Sequence, residues 1–241
     1  MKTLMLYFYL DVRQRVMKIG GRKVKLIELF IQYFPSFISA LLYTLKLTAM
    51  SLFFASFLGI IFGLFSVSGN RALKTMTKIY VDIIRGTPLL VQAFFVYFGL
   101  PQAMGIRMTA IVAGTITLSL NAGAYMSEIV RGGIESVDKG QMEAARSLGL
   151  PYQIAMIRII LPQAVRTMMP SIINQFIISL KDTSILSVIG IRELTMNGKI
   201  IIANNMEAIR MWTIVAFYYL VVCTILSRVA KALERRMSYG K

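Results

Sequence analysis

Long stretches without any charged residue constrain this chain more than any other feature. No Asp, Glu, Lys or Arg occurs over residues 47–70, 86–106 or 108–127. An α-helix that crosses a bilayer needs roughly 20 predominantly apolar residues, and these runs are that long. Charged residues make up 16% of the chain, against about 25% in soluble proteins. The sequence therefore predicts an all-α integral membrane protein.

Five membrane-spanning helices are predicted from these runs. Lys46 alone interrupts the first uncharged region, so one long helix is expected there. The fourth span is the least regular, because Lys181 and Asp182 lie inside it. No polar linker divides the chain, which favours a single membrane domain over residues 36–236. The predicted spans cover residues 36–65, 86–106, 108–127, 167–191 and 211–227.

Lys and Arg in short loops set the orientation, because they favour the cytoplasmic side. With five spans, most of them fall on the side that also holds the C-terminal tail, which is therefore predicted to be cytoplasmic. That side carries Arg71, Lys74, Lys78, Arg131, Lys139, Arg146, Arg158, Arg166, Arg228, Lys231, Arg235, Arg236 and Lys241. The opposite side carries Arg107, Arg192, Lys199 and Arg210.

The N-terminal tail, residues 1–35, conflicts with this orientation because it is basic and is placed outside. Residues 1–10 are too short an apolar run to add a sixth span. They are followed by no small-residue cleavage site of the kind that ends a signal peptide. We therefore expect residues 1–20 to be a non-native or mis-started extension. Residues 237–241 form a short C-terminal tail.

Composition excludes several classes of function. The chain has 27 Lys and Arg against 11 Asp and Glu, a formal charge of +16. These basic residues lie between uncharged runs and not in aromatic-flanked patches, which argues against nucleic acid. With no His and one Cys, Cys223, there are no residues for a disulfide framework, a Cys/His zinc site or a Cys–His nucleophile. No metal site is predicted.

A cytoplasmic helical hairpin is predicted over residues 135–165. Asp138 is placed to cap a first helix, and Gly149 suits the left-handed position that ends it. Pro151 then favours the first turn of a second helix, too short to span. The hairpin is either a connector along the lipid headgroups or a docking site for a soluble partner. The small residues Ala144 and Ala145 favour docking, because they permit close approach.

The hairpin carries a motif of high specificity. The run Glu143-Ala-Ala-Arg-Ser-Leu-Gly149, nine further residues, Ile159, one residue and Leu161-Pro162 resembles the EAA loop of ABC-importer permeases. Other segments resemble the subfamily that imports polar amino acids such as histidine, glutamine, glutamate and arginine. These segments are residues 85–92, 121–128, 139–141, 161–164 and 181–184. The resemblance implies that the residues contacting an ATPase are Glu143, Ala144, Ala145, Arg146, Gly149, Ile159 and Pro162.

The resemblance also implies an architecture and a set of partners. It implies a type I ABC importer transmembrane domain with a cytoplasmic coupling helix, in the lipid of a bacterial cytoplasmic membrane. The implied partners are a dimer of ABC ATPase subunits, a second permease copy or close paralogue, and an external amino-acid-binding protein. No phosphate-binding loop occurs, since the two Gly-Lys pairs, Gly198-Lys199 and Gly240-Lys241, both lack the required glycine five residues upstream. We therefore expect no cofactor and no catalysis in this chain, with ATP and Mg²⁺ bound by the partner.

Polar residues inside the predicted spans are candidates for substrate binding, because intramembrane charges are costly. Asp182 is placed to meet a substrate cation, and its neighbours Lys181, Thr183 and Ser184 supply donors and hydroxyls. Asn121, Tyr125 and Glu128 are spaced to share one helix face. Packing roles stay open for both groups: an ion pair for Lys181 and Asp182, and pairing of Glu128 with Arg131. Arg85 is interpreted as an anchor at the cytoplasmic interface.

The sequence thus predicts the permease subunit of an ATP-driven importer of a polar amino acid. Asp182 and Glu128 favour a cationic side chain on that amino acid. The alternative is a secondary transporter driven by an ion gradient, for which the sequence offers one clear mid-span acid and no internal repeat. A membrane-embedded enzyme is disfavoured by the missing His and Cys chemistry. Substrate-stimulated ATP hydrolysis by a co-purified complex would discriminate among the three.

Overall fold

A computed structural model describes the backbone of residues 2–238 and the side chains of residues 25–232, and the described chain is helical throughout. Short π-helical turns at Phe95–Gly99 and Met156–Ile160 and a 3₁₀ segment at Thr183–Ile189 join some of the α-helices. The α-helices are α1 Lys2–Val67, α2 Arg71–Gly86, α3 Leu89–Phe94, α4 Leu100–Met104, α5 Ala110–Glu135, α6 Lys139–Ser147, α7 Tyr152–Ala155, α8 Leu161–Asp182, α9 Leu194–Asn205 and α10 Ala208–Ser238.

The prediction of an all-α membrane protein with about five spans is confirmed. Three segments are long and apolar enough to cross a bilayer: Lys25–Val67, Tyr152–Ile189 and Ala208–Ala232. A fourth crossing is bent, because Arg71–Gly86 and Leu89–Met104 meet at 102°. Helix α5 supplies the fifth. Its 26 residues span about 39 Å, and it packs centrally against α1 and α8.

The first helix begins before the predicted start at residue 36. Its described side chains extend back to Lys25, which forms an ion pair with Glu207 just before α10. A hydrogen bond from Lys25 holds the pKa of Glu207 below its usual value. Leu29 and Phe37 are buried against Met211 and other residues of α10, so this packing extends the helix past the apolar run itself.

Most residues of the two predicted tails, 1–35 and 237–241, have side chains that the structure does not describe. The interpretation of residues 1–20 as a non-native extension concerns side chains that the structure does not describe, and it stays a prediction. The same holds for the short tail at residues 237–241, of which only the backbone of the first two is described.

Helices α1 and α5 pack closely through glycines. A Cβ atom added to Gly59 would lie 2.4 Å from the Met126 Cβ, and one added to Gly63 would lie 2.5 Å from the Val130 Cβ. The contacts follow the same order along both helices, so α1 and α5 run parallel. That is the direction expected of the first and third spans of a chain with alternating crossings.

The hairpin forms as predicted in its first half and differs in its second. Asp138 caps α6 by accepting a hydrogen bond from the Gly140 amide at 2.6 Å. Gly149 ends the turn with a φ of +82°. The second helix is not short, however, because it continues from Tyr152 to Ile189 as the fourth span. The inner face of this span, including Ala164 and Met168, is buried against α5. This packing favours a helix that continues through Pro162 and Pro170.

Candidate functional site

A break between α2 and α3 creates the candidate site. Pro88 has no amide hydrogen and biases the residue before it towards an extended backbone. Thr87 is accordingly extended, with φ −119° and ψ 142°. The two helices therefore meet at 102°, and the carbonyl groups at the end of α2 lose their helical partners.

The Gln92 side chain supplies partners for these carbonyls. Its Nε2 donates to the Ile84 carbonyl at 2.7 Å and to the Thr87 carbonyl at 3.0 Å. Its Oε1 accepts from Asn121 Nδ2 at 3.3 Å, which connects the break to α5. Sequence reasoning did not single out Gln92. The signal available was an amide side chain one helical turn after a Thr-Pro break.

A cavity of about 620 Å³ opens beside the break, between α2, α3, α5 and α8. This volume lies in the range of small-molecule sites, about 300–1,000 Å³. Three of the predicted substrate residues line it together: Asn121, Tyr125 and Asp182. The remaining lining residues are Arg85, Gly86, Thr87, Pro88, Leu89, Gln175 and Ile178.

The cavity contains one charge of each sign. Arg85 lines one part of it, with its guanidinium 5.0 Å from the centre of the Tyr125 ring. Asp182 lines another part and is half-buried. Among the residues whose side chains are described, none donates a hydrogen bond to the Asp182 carboxylate. A carboxylate inside a membrane domain that accepts no hydrogen bond is costly, so it is suited to a cationic ligand group.

Glu128 lies beside the cavity and does not line it. It accepts two hydrogen bonds from Arg131, at 3.1 and 2.9 Å, and Arg85 lies 3.5 Å from its Oε2. Arg131 also contacts Glu135 at 2.6 Å. The Glu128–Arg131 pair is the packing interaction that the sequence left open. Arg85 therefore connects this ion-pair network to the cavity, instead of serving only as an interface anchor.

Three other predicted substrate residues surround Asp182 without lining the cavity. Lys181 is exposed, and no ion pair joins it to Asp182 among the described side chains. Thr183 is fully buried and donates to the Leu180 carbonyl at 2.7 Å. Ser184 is half-buried. Gln175 and Ile178, which sequence reasoning missed, occupy the cavity wall two turns and one turn before Asp182 on α8, respectively.

The hairpin presents a second candidate surface on the side where α1 and α5 end. Of the two alanines, Ala144 is exposed, whereas Ala145 is buried. Arg146 Nη1 donates to the Leu150 carbonyl at 3.1 Å and so stabilises the turn. Glu143, Gly149 and Pro162 are exposed, whereas Ile159 is half-buried.

These features together define a class of protein: a transmembrane subunit that passes a solute between its helices. The described part of the chain has a polar cavity in a helical membrane domain and an exposed hairpin at one end. The chain belongs to the family of binding-protein-dependent transport system inner membrane components, which it matches over residues 55–239.

Several relatives are similar over most of their length. The chain is 39% identical to the glutamine transport system permease protein GlnP of Escherichia coli (strain K12), over 84% of this chain and 93% of the relative. It is 36% identical to the putative glutamine transport system permease protein GlnP of Rickettsia felis, over 87% of this chain and 98% of the relative. These similarities confirm the resemblance to amino-acid ABC permeases.

Solved structures share the fold. An amino acid ABC transporter crystallised with histidines superposes with a TM-score of 0.82 at 40% identity, covering 86% of this chain and 96% of that one. The MetNI methionine ABC transporter, in an inward-facing conformation, superposes with a TM-score of 0.73 at 17% identity, over 87% and 98% of the two chains. The fold is that of a type I ABC importer transmembrane domain.

Proposed function

We propose that this chain is the permease subunit of an ATP-driven importer that carries a polar amino acid across the bacterial cytoplasmic membrane. It works as a homodimer or with a close paralogue, and it receives the amino acid from an external binding protein. Partner ATPases bind ATP and Mg²⁺ and contact the hairpin through Glu143, Ala144, Arg146 and Gly149. The family supports this division of labour, and it disfavours the alternative of a secondary transporter driven by an ion gradient.

The observation that carries the proposal is that one cavity is lined by both a cation, Arg85, and an anion, Asp182. A free amino acid has a carboxylate and an ammonium group close together, so its site needs a cation and an anion close together. Arg85 suits the carboxylate, because a guanidinium donates hydrogen bonds in a planar fork. Asp182 suits the ammonium, since no described group donates to it. Asn121, Thr87 and Gln175 then face the substrate side chain.

The nature of the substrate side chain is a separate question. The predicted preference for a cationic side chain rests on Asp182 and Glu128, but Glu128 is already paired with Arg131 and lies near Arg85. The preference for a cationic side chain therefore rests on Asp182 alone, and the α-ammonium group of any amino acid can bind Asp182 equally well. The relatives are named as glutamine permeases, so glutamine is the first ligand to measure, with arginine and histidine as competitors.

The test uses the permease reconstituted with its ATPase and measures binding of labelled glutamine by scintillation proximity. A charge-assisted hydrogen bond is worth roughly 1.5–3 kcal/mol, so Asp182→Asn should weaken binding about ten- to a hundred-fold. The wild type should reject both N-acetylglutamine and glutamine α-amide. Asp182→Asn should lose its discrimination against the N-acetyl derivative only, because Arg85 still reads the carboxylate.

Asp82→Asn is the matched control, because it makes the same change on α2 at an exposed position outside the cavity. It should bind glutamine with wild-type affinity. The thermal midpoint of each complex separates binding from packing, since a packing role for Asp182 predicts lower stability with unchanged affinity. Wild-type affinity and selectivity in a stable Asp182→Asn complex would rule out the proposed role.

A further inference from the structure

Helix α2 is held to the protein by one face only. Thr77 and Val81 are buried, and Thr77 Oγ1 donates to the Phe62 carbonyl at 3.3 Å. The Tyr80 ring stacks on Phe62 with 4.4 Å between centroids. Most other positions of this 16-residue helix are exposed. Two exposed stripes, one basic and one apolar, therefore run along α2.

The basic stripe consists of Arg71, Lys74 and Lys78. Their spacing of three and four residues places them on one side of the helix, and all three are exposed. Among the described side chains, none forms an ion pair with any of them. The single acidic residue of α2 is Asp82, one turn beyond Lys78. The first two turns of the stripe are thus purely cationic.

The apolar stripe consists of Met76, Ile79 and Ile83, with the same spacing and with exposed fractions of 45%, 54% and 59%. Between the stripes lies a groove of about 500 Å³, lined by Arg71, Ala72, Thr75, Met76 and Ile79. A guanidinium and a hydroxyl lie at one end of this groove, and apolar side chains lie at the other. The groove is therefore complementary to a ligand with an anionic head and an apolar chain.

The position of α2 fits a membrane surface. It begins directly after α1 ends, on the side predicted to be cytoplasmic. Because it meets the segment Leu89–Met104 at 102°, the two cannot both follow the membrane normal. The latter segment continues to the opposite loop, so α2 lies closer to the membrane plane. Helices with a basic side and an apolar side that lie in this way bind anionic lipid surfaces.

We propose that α2 holds an anionic phospholipid of the inner leaflet, with the phosphate at Arg71, Lys74 and Thr75 and an acyl chain along Met76 and Ile79. A second copy of the chain is a poorer occupant. In a two-fold symmetric contact the same patch meets itself, and this would bring like charges together, which disfavours association.

The test places a fluorescent reporter in the groove. The chain has one tryptophan, so Ile79→Trp in a Trp212→Phe background reports from α2 alone. The full chain is placed in phosphatidylcholine nanodiscs, and quenching by brominated phosphatidylglycerol is compared with quenching by brominated phosphatidylcholine. We expect saturable quenching by the anionic lipid at a lower mole fraction than by the neutral one.

Arg71→Gln/Lys74→Gln is then added to the reporter. Basic residues near an anionic surface contribute about 1 kcal/mol each, so the pair should raise the half-quenching concentration roughly thirty-fold. Arg228→Gln/Lys231→Gln on α10 removes the same charge from exposed positions on the same predicted side. It should leave the half-quenching concentration unchanged.

Each other outcome overturns the proposal. Equal quenching by the two lipids would mean that α2 meets lipid without selecting a headgroup. An equal loss in both double variants would mean that only the overall charge matters. Absence of quenching by either lipid would mean that protein or water covers the face. Displacement of the brominated lipid by inorganic phosphate would assign Arg71 and Lys74 to a free anion instead. None of these results bears on substrate binding, which is measured separately.

Discussion

At the scale of single residues, Gln92 connects the helix break to Asn121 in the cavity wall. It satisfies two carbonyl groups at a helix break and contacts Asn121 with its remaining oxygen. A buried carbonyl without a partner costs about 1–3 kcal/mol. The hydrogen bond to the Ile84 carbonyl is part-buried, whereas the one to the Thr87 carbonyl is exposed. Removing this amide should therefore affect stability and substrate binding together.

We predict that Gln92→Ala lowers the free energy of unfolding by about 1–3 kcal/mol and weakens substrate binding, because Asn121 loses its support. The thermal midpoint of the purified chain and labelled-glutamine binding by the complex measure the two effects. Gln102→Ala is the control, since Gln102 is exposed near the end of α4 and should change neither. A Gln92→Ala protein with wild-type stability would show that the amide does not hold the break.

The site shows which single-residue inferences a sequence permits. Spacing along one helix correctly places Asn121 and Tyr125 on the same wall, since helical geometry is local. The partners of Glu128 and the role of Gln92 depend on helices that meet only after folding. Arg85 and Glu128 are far apart in sequence yet lie 3.5 Å apart, and no local pattern predicts that contact.

At the scale of elements, the contact between α1 and α5 depends on the absence of side chains. Gly59 lies where an added Cβ would be 2.4 Å from Met126 Cβ, so even alanine requires the helices to separate. We predict that Gly59→Ala lowers the thermal midpoint, at a free-energy cost of about 1–3 kcal/mol typical of overpacking. Gly132→Ala on α5 is the control, because nothing lies within 4 Å of its added Cβ.

The two glycine variants have opposite expected signs. Alanine favours the helix by about 1 kcal/mol over glycine, so Gly132→Ala should be neutral or slightly stabilising. Equal midpoints for the two variants would show that the helices can separate at no cost. The Gly-x-x-x-Gly spacing of Gly59 and Gly63 is a weak signal by itself, since glycine is common in membrane helices. The structure shows that here it marks a close contact.

Helix ends were the least predictable elements. The apolar run predicts a start near residue 36, but α1 continues back to pair Lys25 with Glu207 on a distant segment. Similarly, the fourth span is predicted to start at residue 167, yet it begins at Tyr152 and continues through Pro162 and Pro170. In each case tertiary packing on another helix outweighs the local preference, and this packing has no local sequence signal.

At the scale of the whole molecule, the crossings and the hairpin agree with the order predicted from apolar runs. The parallel packing of α1 and α5 requires an odd number of crossings between the end of α1 and the start of α5. The hairpin of α6 and α7 follows α5 directly, so it lies on the side where α1 also ends. Long apolar runs are sufficient for this level of prediction, because the bilayer fixes the length and direction of each span.

The hairpin is the part of this side on which we expect the ATPase to dock. Glu143 is exposed on α6, so Glu143→Lys should leave insertion and stability unchanged, as most surface substitutions do, within about 0.5 kcal/mol. On a docking surface the same reversal replaces attraction by like-charge repulsion worth several kcal/mol. We expect recovery of the ATPase with the tagged permease to fall at least ten-fold. Glu28→Lys reverses an exposed charge on α1, close to the start of the membrane span Lys25–Val67, and should retain the ATPase. Wild-type recovery by Glu143→Lys would exclude Glu143 from the contact, whereas a loss confined to this variant would place the hairpin against the ATPase.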